Sequence, residues 1–149
     1  MQLHSESNPA LNTVTAYGPD YIDINEVSYK HAVYFAPEGE IHTLNAATIA
    51  DFDAELLRTI AGLEITAPDP MDFLNEGSVP KKPLDAPEVV LIGTGLRQHF
   101  LPPHVAQTLL TLGIGVETMN TQAAARTYNI LMAEGRRVVA ALLPTQETT

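Results

Sequence analysis

The sequence predicts an α/β fold: a single three-layer domain over residues 1–149, in which N-terminal antiparallel strands join a C-terminal βαβαβ unit in one mixed sheet. Two patterns and one bulk property predict it. Residues 14–35 are rich in β-branched and aromatic residues, as strands are. Residues 89–144 alternate continuous apolar runs with segments of helical periodicity. A chain of 149 residues with 45% hydrophobic residues is large enough to bury one core.

Antiparallel strands are expected from the N-terminal part up to about residue 44. The turn Gly18-Pro19-Asp20 separates two stretches of strand-forming residues. Directly after it, "YIDIN" alternates apolar and polar residues with the period of a half-buried strand. These short strands with turns between them indicate hairpin connections.

A helix is expected within residues 48–63, where the period changes. Asp51 and Asp53 lie early in this stretch, at the positive end of the helix dipole, and Gly62 is placed to end the helix. The apolar positions at helical spacing are Ile49, Phe52, Leu56, Ile60 and Leu63. They predict an ordinary helix packed on the core.

A Pro-rich loop is expected at about residues 64–87. Such a density of proline disrupts regular structure, and the segment is long for a connection. Loop statistics favour a mobile surface loop, with a functional flap as the alternative. The prolines are Pro68, Pro70, Pro80, Pro83 and Pro87.

The C-terminal part predicts a βαβαβ unit with parallel strands and right-handed crossovers. Its strands are rich in Val, Ile and Leu, which suits a sheet covered on both faces. In chain order the strand, helix, strand, helix and strand are residues 89–93, 102–113, 114–119, 120–135 and 136–144.

Composition excludes several classes of protein. The net charge of −10 argues against nonspecific nucleic-acid binding, and the absence of cysteine excludes disulfides and thiolate chemistry. No apolar run approaches the ~20 residues that cross a bilayer. The N-terminus lacks the basic and apolar regions of a secretion signal. We therefore expect a soluble cytoplasmic protein that is not integral to a membrane.

Charge is distributed unevenly along the chain. Residues 1–80 hold 13 acids and 2 bases, net −11, whereas residues 81–149 hold 5 acids and 6 bases, net +1. A site for an anion or an acidic partner would belong in the second part, although the acids of the first part are most simply a solubilising surface.

The Gly93-Thr94-Gly95 loop after the first predicted parallel strand has two interpretations. It is a tight turn at the end of a core strand, or a loop that cradles a phosphate with help from Arg97. If the two strands are neighbours, it meets the loop that carries Thr118, Asn120 and Thr121. The dinucleotide pattern G-x-G-x-x-G fails because Gln98 stands at its third glycine, although Glu117 lies near the expected ribose-binding position. A structural turn is the favoured interpretation.

The last predicted helix carries the densest polar cluster. Gln122, Arg126 and Asn129 share one helical face, and Arg126 could pair with Glu117 or Glu134. An internal network that fixes the helix on the sheet is favoured over a ligand site.

Catalytic chemistry has little support in the sequence. The histidines (His4, His31, His42, His99 and His104) show no metal-ligand spacing, and the serines show no nucleophile motif. We therefore assign no catalytic residue, no metal and no cofactor, and favour a non-enzymatic role while leaving catalysis open.

The C-terminal motifs resemble a small α/β family of unknown function that includes mitochondrial complex I assembly factor 3 and many short bacterial and archaeal proteins. "YGPDYIDINEVSYKHAVYF" is similar to the N-terminal strands of that family. The strongest motifs are Gly93-Thr94-Gly95, Val116-Glu117-Thr118-Met119 with Thr121, and Arg126-Thr127-Tyr128-Asn129 through Glu134 to Arg137. The resemblance implies a three-layer fold around a mixed sheet, no established enzyme activity, and protein partners during respiratory-complex assembly for the mitochondrial relatives.

Two functional hypotheses follow. The first is an interaction protein that binds a protein partner and aids assembly of a respiratory or other membrane complex. The second is a site for a small anion (phosphate, nucleotide or carboxylate) at the Gly-Thr-Gly loop. The candidate binding residues are Thr94, Gly95, Arg97, Glu117, Asn120, Thr121, Arg126 and Asn129.

Overall fold

The computed structural model describes residues 11–63 and 85–145. Within them, no helix combines the length and the apolar content needed to cross a bilayer. In chain order the elements are β1 (Val14–Gly18), β2 (Tyr21–Ile24), β3 (Val27–Tyr29), β4 (Val33–Phe35), β5 (His42–Thr43), a 3₁₀ turn (Ile49–Asp51), α1 (Ala54–Ile60), β6 (Val89–Gly93), α2 (Pro103–Thr111), β7 (Gly115–Met119), α3 (Thr121–Ala133) and β8 (Val138–Leu142).

The predicted βαβαβ unit forms the centre of the fold. Among the described residues, five strands form a mixed sheet in the order β5-β4-β8-β6-β7. Strand β6 is parallel to both β7 and β8, and β4 joins β8 in antiparallel orientation. The fold class is therefore confirmed: an α/β fold with antiparallel N-terminal strands and a parallel C-terminal unit.

The expectation that all N-terminal strands join one mixed sheet is wrong in detail. In the described part of the chain, β1, β2 and β3 form a separate antiparallel sheet, and β4 and β5 extend the mixed one. Tight turns join β1 to β2 and β2 to β3, so these strands pair with each other. Burial explains their position, because Val14, Ile22 and Ile24 are buried in the same core cluster as Tyr128 of α3.

The described elements stack in three layers around the mixed sheet. On one face, α1 and α2 cover a core that includes Leu57, Val90 and Leu109. On the other face, α3 and the small sheet cover a second core that includes Leu91 and Tyr128. Successive residues of β6 thus point to opposite cores, as the alternation of a strand requires.

The first helix is shorter than the periodicity predicts. The 3₁₀ turn ends before Phe52, which is extended, and α1 begins after Asp53. Each aspartate bonds to backbone N–H groups of its own turn: Asp51 accepts from Ala47 and Thr48, and Asp53 accepts from Leu56 at 2.7 Å. Because these local bonds begin two separate turns, the segment is broken where a continuous helix is expected.

Most of the predicted Pro-rich loop lies outside the described residues, since residues 64–84 are not described. Its last part is placed: Ala86 is buried in the core beneath α1 and α2, and its carbonyl accepts a hydrogen bond from Nε of Arg137 at 3.1 Å. The expected mobility stays a prediction, as does the single-domain assignment.

Candidate functional site

The two loops that the sequence places at the carboxyl ends of β6 and β7 do meet. These strands are neighbours in the sheet, with Gly93 opposite Met119. The backbone N–H of Thr94 donates to the carbonyl of Met119 at 2.9 Å, and Nε2 of Gln98 donates to the carbonyl of Thr118 at 3.2 Å. Any site here is therefore shared between the two loops.

Gly93, Thr94 and Gly95 form what we call the inner turn. An added Cβ on Gly93 would lie 2.9 Å from both Cα and Oγ1 of Thr121, so the strand and α3 approach too closely for a side chain there. Gly95 has φ +102°, a conformation that side chains other than glycine rarely adopt. Close packing at Gly93 and backbone conformation at Gly95 thus explain why glycine occupies both positions.

The hydrogen-bonding groups of the inner turn are used within the protein. The N–H of Gly95 donates to Oγ1 of Thr121 at 2.9 Å, and the Thr121 hydroxyl donates to the carbonyl of Leu143 at 2.6 Å. The hydroxyl of Thr94 donates to the carbonyl of Arg97 at 2.6 Å and accepts from the N–H of His99 at 3.1 Å. The two hydroxyls connect the ends of β6, β7 and β8, as expected for a turn with a structural role.

Asn120 and Asn129 are also engaged in structural bonds. The side chain of Asn120 caps α3 by accepting from the N–H of Ala123 at 2.8 Å. Asn129 bonds the backbone of Val14 twice, donating to its carbonyl at 2.8 Å and accepting from its N–H at 3.0 Å. The side chain of Asn129 therefore fixes β1 against α3.

Tyr128 completes this attachment of the N-terminal segment. Its buried hydroxyl donates to the carbonyl of Asn12 at 2.7 Å, and its ring meets that of Phe35 edge to face with centroids 4.8 Å apart. Burial raises the pKa of the Tyr128 phenol above its ordinary value. The Tyr128-Asn129 part of the family motif is thus accounted for by packing.

The charged candidates Arg97, Glu117 and Arg126 are exposed. Arg97 lies on the loop after the inner turn, and Arg126 lies on α3, five residues beyond Thr121. Within the described residues, Arg126 forms no ion pair with either Glu117 or Glu134, the two partners that the sequence allows. A pairing that does occur is Arg136 with Glu88, at 3.0 Å.

The residues that sequence reasoning missed are apolar. Phe100 is 78% exposed and Leu96 is 53% exposed, on either side of Arg97, Gln98 and His99. We call residues 96–100 the outer loop. A signal was present in "LRQHFLPP", where large apolar residues flank three polar ones outside any helical or strand pattern. Exposed residues of this size indicate a contact surface when they lie together.

Two cavities lie away from these loops. One, of about 820 Å³, lies between the start of β8 and the chain after β4, where Pro37, Ile60 and Val139 line it. The other, of about 750 Å³, is lined by His31, Asp51 and other residues around α1. None of the eight candidate residues lines either cavity.

Comparison with known proteins confirms the resemblance read from the sequence. The complex I assembly factor 3 of Bos taurus is 46% identical over 57 residues, which are 38% of this chain and 31% of that protein. The chain therefore spans well under two thirds of the length of this relative.

Solved structures resemble the chain over nearly its full length. A solution structure of a Bordetella pertussis protein described as a Mth938-like domain is 53% identical, with TM-score 0.78, and the match covers 99% of this chain and 95% of that one. A crystal structure from Bordetella parapertussis is 52% identical, with TM-score 0.74 and coverages of 91% and 97%. Residues 14–143 match the family described as "Protein of unknown function (DUF498/DUF598)", and the chain belongs to that family.

Proposed function

We propose that this chain is a soluble, cytoplasmic, non-enzymatic interaction protein that binds a protein partner through the outer loop and aids assembly of a respiratory or other membrane complex. The exposure of Phe100 and Leu96 beside Arg97 carries the proposal. Aromatic residues and arginine dominate the binding energy of protein interfaces. An aromatic side chain that stays exposed to water contributes no hydrophobic stabilisation to the fold.

The rigidity of the inner turn supports the same proposal. Thr94 and Thr121 fix both ends of the turn through hydrogen bonds that are partly or fully buried, so the outer loop begins at a defined position. A preorganised loop loses less conformational entropy on binding than a flexible one. The polar candidates thus position the contact residues, which are Leu96, Arg97 and Phe100.

The assembly role rests on family membership. The family includes proteins named for assembly of NADH dehydrogenase in several vertebrates. Because such factors act by binding other proteins, the exposed surface and the family point to the same class of activity. The identity of the complex is part of the proposal.

Anion binding at the Gly-Thr-Gly loop has less support from the geometry. The N–H of Gly95 and the hydroxyl of Thr121 would have to give up their internal bonds to receive a phosphate. Asn120 is likewise committed to capping α3. An anion at this position would have to replace internal hydrogen bonds that are already formed. The free energy lost with those bonds offsets most of the free energy that bonds to the anion could supply.

A capture experiment tests the proposal. Tagged wild type, Phe100→Ser and the Arg97→Ala/Arg126→Ala double variant are incubated with native lysate at low salt, and bound proteins are identified by mass spectrometry. Val27→Ser is the matched control, because Val27 is a 53% exposed apolar residue on the separate three-stranded sheet. All variants are first checked for folding by circular dichroism.

The proposal expects a partner that wild type and Val27→Ser retain and that both Phe100→Ser and the Arg97→Ala/Arg126→Ala double variant lose. Retention of every specific partner by Phe100→Ser would contradict it. Robust turnover of a metabolite that is lost in Arg97→Ala would replace it with an enzymatic role.

A further inference from the structure

Strand β7 forms one edge of the mixed sheet in the described part of the chain. It stands last in the strand order, and among the described strands it pairs with β6 alone. A strand at an edge has a row of backbone N–H and C=O groups along one side that no neighbouring strand satisfies. We call this side of Gly115–Met119 the open edge.

Two hydrogen bonds fix the orientation of the backbone in β7. The N–H of Gly115 donates to the carbonyl that precedes β6, and the carbonyl of Met119 accepts from the N–H that follows β6, both at 2.9 Å. The first and last residues of β7 therefore direct these backbone groups toward β6. Because successive residues of a strand direct their backbone groups to opposite sides, Val116 and Thr118 face the open edge.

The outer loop borders the open edge. Nε2 of Gln98 donates to the carbonyl of Thr118 at 3.2 Å, as expected if that carbonyl points away from β6. The N–H of Thr118 and both backbone groups of Val116 have no partner among the described residues. The exposed side chains of Leu96 and Phe100 therefore lie on a loop beside backbone groups that another strand could pair with.

Glu117 is the exposed residue at the centre of β7. Its carboxylate forms no ion pair or hydrogen bond within the described residues. The side chains of Val116 and Thr118 lie on the opposite face of the sheet, where Val116 packs against the core beneath α1 and α2. A strand added at the open edge would therefore meet a carboxylate on one face of the sheet and β-branched side chains on the other.

We infer that the open edge receives an extended basic segment of a partner protein as a further strand of the mixed sheet, an inference that rests on the proposed function. The backbone of the segment pairs with both groups of Val116 and with the N–H of Thr118. A Lys or Arg of the segment lies opposite Glu117 and pairs with its carboxylate. In strand addition the main-chain bonds supply affinity, and the cross-strand pair of side chains supplies selectivity.

Charge determines the chemistry of the occupant. Opposite charges directly across a pair of strands are stabilising, so Glu117 favours a basic residue in the added strand. The net charge of −10 attracts a basic segment from a distance and opposes an acidic one. An anionic bilayer carries the same sign of charge as Glu117, and it offers no backbone groups that could pair with the open edge.

A second copy of the chain is a less suitable occupant. An antiparallel pair that joins Val116 of each copy to Thr118 of the other places the two Glu117 carboxylates directly opposite each other, which is destabilising. Each copy also has a net charge of −10, so two copies repel. A charged residue on an edge strand is a frequent protection against such association, and the same charge attracts a segment of opposite sign.

Designed peptides test the inference with a defined probe. A fluorescent peptide of about eight residues, within the usual length of a strand, alternates Lys with Val and Thr. One control peptide has Glu in place of Lys, and another keeps Lys but has methylated backbone nitrogens, which removes the N–H groups that strand pairing needs. Binding to the full chain is measured by fluorescence anisotropy, and hydrogen exchange of individual backbone N–H groups is measured by NMR.

The variants are Glu117→Lys and the matched control Glu134→Lys. Glu134 is an exposed acid at the end of α3 without an ion pair in the described part of the chain, so the two substitutions change the net charge equally. Both variants are checked for folding by circular dichroism. A preference that depends on the position of the charge therefore separates pairing at β7 from attraction by the whole protein.

The Lys peptide is expected to bind wild type and Glu134→Lys alike and to bind Glu117→Lys about tenfold more weakly, because like charges then lie opposite each other. Glu117→Lys is expected to prefer the Glu peptide, and the methylated peptide should bind no form of the protein. With the Lys peptide bound, hydrogen exchange should slow at the N–H groups of Val116 and Thr118. It should change little at Gly115, whose N–H is already bonded.

Three results would overturn the inference. Equal binding of the Lys peptide to wild type and Glu117→Lys removes the charge pair, and exchange at Val116 that does not slow with the Lys peptide at about 1 mM removes strand addition. Concentration-dependent association of wild type that slows exchange at Val116 assigns the open edge to a second copy. If any of these occurs while the capture experiment finds a partner that depends on Phe100, the proposed function survives alone.

Discussion

The inner turn and the outer loop are adjacent in the chain and opposite in environment. Gly93, Thr94 and Gly95 are buried and bonded to the ends of β7 and β8, whereas all five residues of the outer loop are exposed. The recognisable motif is in the buried half, and the surface available to a partner is in the half without a motif. A motif shared by a family therefore need not mark the residues that carry its activity.

The largest predicted effect is that of Gly93→Ala. The new Cβ would lie 2.9 Å from Cα of Thr121, a backbone atom that moves only if α3 moves. We expect the free energy of unfolding to fall by about 3 kcal/mol, at the upper end for an overpacked core. Urea denaturation measures it.

Gly113→Ala is the control for the strain of substituting a glycine. Gly113 has φ +82°, and an added Cβ there meets no atom within 4 Å, so the expected loss is about 1 kcal/mol. Equal losses in the two variants would show that close packing of α3 on β6 does not explain Gly93.

Thr121→Val is expected to have the next largest effect and to lower the free energy of unfolding by about 2 kcal/mol. The substitution keeps the shape of the side chain and removes the hydroxyl that joins the N–H of Gly95 to the carbonyl of Leu143. Buried groups left without partners account for the loss. Thr121→Ser, which keeps the hydroxyl, should lose less than half as much in the same urea titration. A stable Thr121→Val would show that the inner turn does not depend on this cross-link.

Tyr128→Phe tests the attachment of the N-terminal segment to the other end of α3. Loss of the hydrogen bond to the carbonyl of Asn12 should cost about 1 kcal/mol at pH 7. Burial raises the pKa of the Tyr128 phenol, so its stabilising contribution is complete below the unfolded pKa near 10 and is lost as the pH rises above that value.

The difference in stability between wild type and Tyr128→Phe should therefore narrow between pH 9 and pH 11, measured by urea denaturation at each pH. A difference that stays constant would show that Tyr128 ionises equally well in the folded and unfolded states. Tyr29→Phe, at a half-buried tyrosine on β3, is the matched control for removing a phenolic hydroxyl elsewhere in the protein.

Local sequence patterns predicted most of the fold, because the spacing of apolar residues along a strand or a helix is set by residues that are near each other in the chain. The continuous apolar runs at β6 and β8 and the helical periodicity between them were readable in residues 89–144. The separate small sheet was not, because its position depends on burying Ile22 and Ile24 in the same core cluster as Tyr128, more than a hundred residues away. The break between the 3₁₀ turn and α1 depends on which backbone groups Asp51 and Asp53 bond, which periodicity does not record.

The candidate site was predicted in its location and less well in its residues. Polar residue types at strand ends identified where the loops meet, and the strand order confirmed that they do. Sequence reasoning could not tell a hydroxyl that faces a ligand from one that faces a carbonyl, as Thr121 does. It also passed over Leu96 and Phe100, because an apolar residue in a sequence is assumed to be buried until the structure shows otherwise.

The smallest predicted effect on stability belongs to the outer loop. The double variant Leu96→Ser/Phe100→Ser removes two apolar side chains that are more than half exposed, so little buried area is lost. The free energy of unfolding should change by less than about 0.5 kcal/mol, as is usual for surface positions. A loss above about 1 kcal/mol would mean that Phe100 packs within the protein and would weaken its role in binding. If stability is unchanged while the partner is lost, the outer loop is maintained for contact with another molecule, and the inner turn serves to hold it in place.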